Sequence, residues 1–148
     1  MAKRSIDRFR DTELASEIEF LLARARNMGI IHANESLVSL GLKARSYVVL
    51  SLAVSGLKPT QRELADFINL DASQIVSIVD DLEAKGLVAR QPAPSDRRTN
   101  VIVATDLGVE RYGQARAVTA QAELESLSAL SGDEQQTCLL YTSDAADE

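Results

Sequence analysis

Apolar positions recur in two periods along this chain, and the switch between them marks out its elements. From Phe9 to Met28, Leu14, Ile18, Leu21, Leu22 and Ala25 make a helical stripe that ends near Gly29. A second helix is predicted over Leu42 to Ser55, with Tyr47, Leu50 and Val54 pointing inward. A third starts at Thr60-Gln61-Arg62-Glu63, where the threonine hydroxyl can accept from the amide three residues on while the glutamate reaches back. Its apolar positions Leu64, Ala65, Phe67 and Ile68 fill one side, and the pattern breaks at Asn69-Leu70. Asp71 restarts a helix as N-cap, with Gln74 at the capping-box position. Ile75, Ile78, Val79 and Leu82 then fall at i, i+3, i+4 and i+7, a single buried stripe, and the other face shows Ser73, Gln74, Val76, Ser77, Asp80 and Asp81. Lys85-Gly86 closes this helix, because lysine suits the negative end of the dipole and glycine tolerates a left-handed stop.

Beyond Gly86 the pattern becomes strand-like. Leu87-Val88-Ala89-Arg90 reads as one strand and Val101-Ile102-Val103 as its return, with a loop between in which Pro92 and Pro94 forbid further pairing. Arg97 and Arg98 sit at the hairpin tip, with Asp96 before them as a loop cap that fixes one guanidinium while the other projects. A long helix from Asp106 to Leu130 follows, carrying Val109, Tyr112, Val118, Leu124, Leu127 and Leu130. Two helices across a three-residue turn match the helix-turn-helix plan, in which the second helix reads base edges with its N-terminal residues. An arginine-tipped hairpin beside it suits a narrow minor groove, where negative potential is concentrated. The candidate DNA contacts are therefore Ser73, Gln74 and Ser77 for the major groove, Arg97 and Arg98 for the minor groove, and Thr60, Gln61 and Arg62 for phosphate. Each also has a plainer role: Gln74 as a capping partner, Ser73 and Ser77 as helix surface, Arg97 and Arg98 as a solvated turn.

Residues 60 to 108 resemble the winged helix-turn-helix of the MarR family of bacterial transcriptional regulators. The resemblance rests on Thr60-Gln61-Arg62-Glu63-Leu64-Ala65, on Val79-Asp80-Asp81-Leu82-Glu83-Ala84-Lys85-Gly86-Leu87-Val88, and on Asp96-Arg97-Arg98 followed at family spacing by Thr105 and Gly108. Weaker similarity extends from about Phe9 to Thr137. It implies a mainly α fold with a small two-stranded β wing, flanked by N- and C-terminal dimerisation helices. It also implies a homodimer on a pseudo-palindromic, double-stranded operator, released by a small aromatic or phenolic effector or by an oxidant. The corresponding division is residues 1–34 as N-terminal dimerisation helix and loop, 35–105 as the DNA-binding unit, and 106–137 as C-terminal dimerisation helices. In the family the effector cleft lies between the dimerisation helices and the winged unit. The ligand residues stay unknown from the sequence; His32, read as a structural loop residue, and Tyr47 are guesses. The chain departs from the family at Val76, Ser77 and Asp81, where a threonine and arginines are frequent. Each lost cation removes a phosphate contact, which moves affinity toward the wing.

Composition refines this picture. The chain has 148 residues, 45% of them hydrophobic but only 4% aromatic, as an alanine-rich helical domain would. No run of about 18 apolar residues is present and the start Met-Ala-Lys-Arg-Ser lacks an apolar stretch, so a cytoplasmic, membrane-free protein is expected. The net charge of −6 argues against a general nucleic-acid binder. Placement counts for more: Arg62, Lys85, Arg90, Arg97 and Arg98 lie in the winged segment, and Lys3, Arg4, Arg8 and Arg10 at the N-terminus.

The last residues, 138–148, read as a non-native tail, since one reverse translation of them resembles a transposase adaptor from sequencing-library construction. Without Asp144, Asp147 and Glu148 the charge becomes 16 minus 19, or −3. Ser131-Gly132-Asp133-Glu134-Gln135 looks like the cap of a final helix cut after its first turn. Excluding the tail removes Cys138, the only cysteine, as a redox sensor, and no cofactor or Cys/His metal site is expected. An enzyme is excluded by a single histidine, no nucleophile with a base and no glycine-rich phosphate loop. The alternative to a ligand-responsive repressor is a winged module turned to protein interaction or architecture with weak DNA binding, which Asp81, Val76 and the acidic total favour.

Overall fold

Residues 9–94, 96 and 98–147 are described by the computed structural model. Lys3, Arg4, Arg8, Ser95 and Arg97 lie outside the described residues. A 3-10 turn, Glu13–Ser16, precedes helix α1 (Ile18–Leu37). There follow α2 (Ala44–Val54), α3 (Gln61–Ile68), α4 (Ala72–Ala84), strands β1 (Val88–Pro92) and β2 (Asn100–Ala104), α5 (Asp106–Ser126) and α6 (Gly132–Asp147). The fold is mainly helical with one two-stranded antiparallel sheet, as expected.

The buried core draws on every element of the winged unit: Leu37, Val49, Leu50, Leu64, Ile75, Val79, Leu82, Leu87, Val88 and Ile102. Local signals read from the sequence hold at two helix ends, and a third cap is found at Thr105. Thr60 and Glu63 form a reciprocal capping box at the start of α3. At the end of α4, Gly86 takes φ 70°. Its N–H donates to the Glu83 carbonyl at 2.9 Å and that of Leu87 to the Leu82 carbonyl at 2.9 Å, the paired bonds of a left-handed stop. Thr105 caps α5 by accepting from the Gly108 amide at 3.0 Å, and its hydroxyl donates to the Gly86 carbonyl at 2.6 Å. Gly108 has no substitute here, since an added Cβ would lie 1.9 Å from the Leu87 carbonyl oxygen.

Several expectations are corrected. α1 starts at Ile18 and runs through Gly29 to Leu37, which places His32 in a helix rather than a loop. Tertiary anchoring overrides the glycine, whose cost within a helix is only about 0.5–1 kcal/mol: Leu37 is buried in the core, and Asn34 Oδ1 accepts from the Ala44 amide at 2.8 Å. Phe67 is 77% exposed, because Leu64, Ala65 and Ile68 define the inward arc of α3 and residue 67 falls roughly 60° outside it at about 100° per residue. Pro92 does not end the pairing; it stands opposite Asn100. The Ala93 N–H donates to Thr99 and the Thr105 N–H to Leu87, so the hydrogen-bonded pairs fall on odd residues of β1. Pro92 occupies a pair whose N–H would point away from the partner strand, where nothing is lost. The long helix ends at Ser126 rather than Leu130. The final helix has its capping box at Ser131 and Glu134, but it continues across Thr137 to Asp147.

Candidate nucleic-acid interface

The interface begins with the two faces of α4. Ile75, Val79 and Leu82 are buried, which holds the helix against α2 and α3 and leaves Ser73, Gln74 and Ser77 facing outward. Asp71 occupies the N-cap position but makes no side-chain cap bond, so the capping box expected with Gln74 does not form. Gln74 is thereby freed from that role.

At the tip of the hairpin, the Asp96 carboxylate is spent on the turn itself and, among the described residues, on no guanidinium. Its Oδ1 accepts from the Arg98 amide at 2.9 Å and its Oδ2 from the Thr99 hydroxyl at 3.0 Å. That closes the turn with Arg98 exposed. Arg97, the other candidate for the minor groove, lies outside the described residues.

The phosphate candidates on α3 differ in availability. The Thr60 hydroxyl accepts from the Glu63 amide at 3.2 Å, and the Thr60 amide and hydroxyl donate to Glu63 Oε2 at 2.7 and 2.8 Å. These bonds from the Thr60 backbone and hydroxyl hold the Glu63 carboxyl below its usual range. Gln61 Oε1 accepts from Arg90 Nε at 3.0 Å. Arg62 is almost fully exposed, with only a long pairing to Asp66 at 3.9 Å.

Arg90, read from the sequence as one more basic group of the winged segment, is instead a tether. Its guanidinium pairs with Asp80 at 2.5 Å and with Glu83, both on α4, and its backbone N–H donates to Glu83 Oε1 at 3.1 Å. Partial burial works against the charge, but the hydrogen bonds to Asp80 and Glu83 outweigh it and raise its proton affinity above the ordinary arginine value. Strand β1, α3 and α4 are thus tied through one side chain, whose charge is matched by two carboxylates. Lys85 is similarly engaged, donating to Asp81 at 2.6 Å and to the Gly41 carbonyl at 2.9 Å. Two cations that sequence reasoning missed, Lys43 and Arg45 at the start of α2, line one groove together with Ser73, Gln74 and Ser77. No local motif marks them, because α2 meets α4 only in the folded chain.

A second cleft, of about 520 Å³, opens between α1, α2 and α5. Met28, His32, Tyr47, Val48 and Thr119 are among the residues around it, so both guessed ligand residues do border a cavity. His32 Nδ1 is 2.7 Å from the Ser126 hydroxyl, and the Tyr47 ring stacks on Tyr112 with centroids 5.7 Å apart. Among the described residues, no group of His, Cys, Asp and Glu could hold a metal ion, and no single helix is long and apolar enough to cross a membrane.

Comparison with known proteins bears on this geometry. A family model described as MarR family matches residues 40–99. The chain is 30% identical over 128 residues to the HTH-type transcriptional regulator MhqR of Bacillus subtilis, covering 86% of this chain and 88% of that protein. A MarR-family transcriptional regulator from Rhodococcus sp. RHA1 has a similar structure, with a TM-score of 0.86, 34% identity, and 92% and 96% of the two chains covered. CouR from Rhodococcus jostii RHA1, solved bound to p-coumaroyl-CoA, gives a TM-score of 0.83 at 36% identity over 92% and 96% of the chains.

Proposed function

This chain belongs to the MarR family of winged-helix, DNA-binding transcriptional regulators, and on that premise we propose that it acts as a homodimeric repressor on a pseudo-palindromic operator. The observation that carries the reading is the outward face of α4, where Ser73, Gln74 and Ser77 stand exposed on a helix whose opposite side is locked into the core. A helix held this way can enter a major groove about 12 Å wide without unfolding anything. Ser73, Gln74 and Ser77 then read base edges, Arg98 with Arg97 reaches the minor groove, and Arg62 approaches phosphate. Gln61 and Thr60 support that approach from within their bonds to Arg90 and Glu63.

Pairing of two chains is supported by the apolar residues left in solvent on the terminal helices. Ile18, Leu21 and Leu22 on α1 and Leu124 on α5 are all exposed. Isolated exposed leucines are ordinary, but a row along one helix is a surface awaiting a partner. The effector is a small aromatic or phenolic compound seated in the cleft bordered by His32 and Tyr47; the phenolic p-coumaroyl group of the CouR ligand supports that class.

Selection from a random pool of duplex oligonucleotides tests the proposal. The expected product is a motif of two inverted half-sites about one helical turn apart, bound by a dimer. Enrichment of no motif would favour the interaction-module reading, for which the matched charges of Arg90 and Lys85 and the net charge of −6 already speak.

A further inference from the structure

A groove of about 570 Å³ runs between the start of α2 and the exposed side of α4. Lys43, Arg45 and Ser46 line it from one helix, and Ser73, Gln74 and Ser77 from the other. We infer that this groove is an oxyanion site that takes a phosphate group, with the Ser46 hydroxyl as its buried donor.

Ser46 is the most telling residue. It is only 7% exposed, and its hydroxyl has no hydrogen-bond partner among the described residues. Yet among the described residues no side-chain oxygen or nitrogen is sealed from solvent without a partner, so the Ser46 oxygen is open either to this groove or to the adjoining pocket that Ser46 lines with Lys43, Ser77, Asp81 and Lys85. A hydroxyl so placed is expensive to leave unbonded and cheap to satisfy with an incoming acceptor.

The surroundings specify a negative acceptor. The Ala44 amide donates to Asn34 and the Tyr47 amide to the Lys43 carbonyl, which leaves the amides of Arg45 and Ser46 without an acceptor among the described residues. The start of α4 also lacks a side-chain cap. Both helix starts carry partial positive charge, and free amides there favour phosphate. The charges agree: Lys43 and Arg45 have no ion pair among the described residues, whereas Lys85 and Arg90 are closely paired with carboxylates. Among the described residues no acidic side chain lines this groove; Asp81 borders the adjoining pocket, where Lys85 pairs with it at 2.6 Å, and Asp71, at the α4 N-cap, is not among the groove walls.

The phosphate has two possible sources, a free phosphate ester or the backbone of a duplex gripped by α4. The second source rests on the function proposed above, because a helix in the major groove has phosphates along both flanks.

The probe is inorganic phosphate, titrated against chloride at matched ionic strength into the nitrogen-labelled full chain while amide shifts are followed. The amides of Arg45, Ser46 and Ser73 should move together and saturate, and Ser46→Ala should raise the midpoint about tenfold. Arg45→Gln, on an exposed side chain, should do the same and keeps the test readable should Ser46→Ala unfold. Diffuse shifts that never saturate, or a midpoint untouched in both variants, would overturn the site. The same variants are then assayed on the selected operator. Weaker binding, with a salt slope reduced by about one for Arg45→Gln, identifies the duplex backbone as the source. Unchanged operator binding with phosphate still saturable identifies a free phosphate ester. Operator binding by the wild type without any phosphate response sinks the site and leaves the proposed function standing; a normal phosphate response with no selectable operator does the reverse.

Discussion

The winged unit and the terminal helices are both built on apolar stripes, yet the two stripes end in different surroundings. Leu64, Ile75, Val79, Leu82, Leu87 and Ile102 are at most 1% exposed, whereas Ile18 is 74%, Leu22 54% and Leu124 62% exposed. In the winged unit every stripe is closed by another element of the same chain. On α1 and α5 one side meets the neighbouring helix and the other meets nothing among the described residues. Periodicity therefore reports that a face is apolar and is silent on which molecule covers it. The winged unit seals its own core; the arms would be sealed by the second copy proposed above.

The sharpest way to separate the two regions is to damage each in turn. Leu82→Ala, in the sealed core, should cost about 2–5 kcal/mol in denaturant unfolding; a loss under 1 kcal/mol would mean that the core is not the cooperative unit. Leu22→Asp should leave the winged unit folded but weaken self-association by about 2 kcal/mol or more through an uncompensated charge at the pair interface. Sedimentation velocity reads this directly, and an unshifted dimer would show that α1 does not pair. Arg98→Ala should leave both unfolding and dimerisation untouched while weakening operator binding by roughly 1–3 kcal/mol. Equal gel-shift titrations for variant and wild type would remove the wing from the mechanism.

The smallest effect expected is at the α3 capping box. Thr60→Ala should cost about 1 kcal/mol. It should also flatten part of the acid limb of the stability profile, because the Thr60 amide, which depresses the Glu63 carboxyl most, remains in the variant while the hydroxyl that adds to it is lost. A depressed acid adds stability at pH above its unfolded value and loses it as pH falls through the lower folded value. Unfolding midpoints across that acid range, compared with Glu63→Gln, check the assignment; an identical acid limb in all three proteins would refute it.

Legibility in the sequence tracked the distance over which each contact closes. The Thr60 box and the Gly86 stop each close within five residues, and both were readable from residue types alone. The candidates Ser73, Ser77 and Arg98 were likewise found where a helical face and a hairpin tip put them. What was misread depended on remote partners. Arg90 looked like a free cation because Asp80 and Gln61 lie 10 and 29 positions away. Gly29 looked like a helix end because Leu37 and Asn34 tie α1 down eight and five residues beyond it, against α2. Pro92 looked like a terminator because the phase of its pairing is set on the opposite strand.

The order of residues by itself determined the number and kind of elements in the winged unit, their caps and stops, and which face of each helix is apolar, since these follow from bonds among near neighbours and from the helical and strand repeats. Only the tertiary structure decided how the charges are shared out: it joined Arg90 to α4, freed Gln74 from its cap, and brought Lys43, Arg45 and Ser46 beside Ser73, Gln74 and Ser77. Coulomb energies and hydrogen bonds depend on separation in space, and a chain that folds back on itself makes that separation independent of the count of residues between.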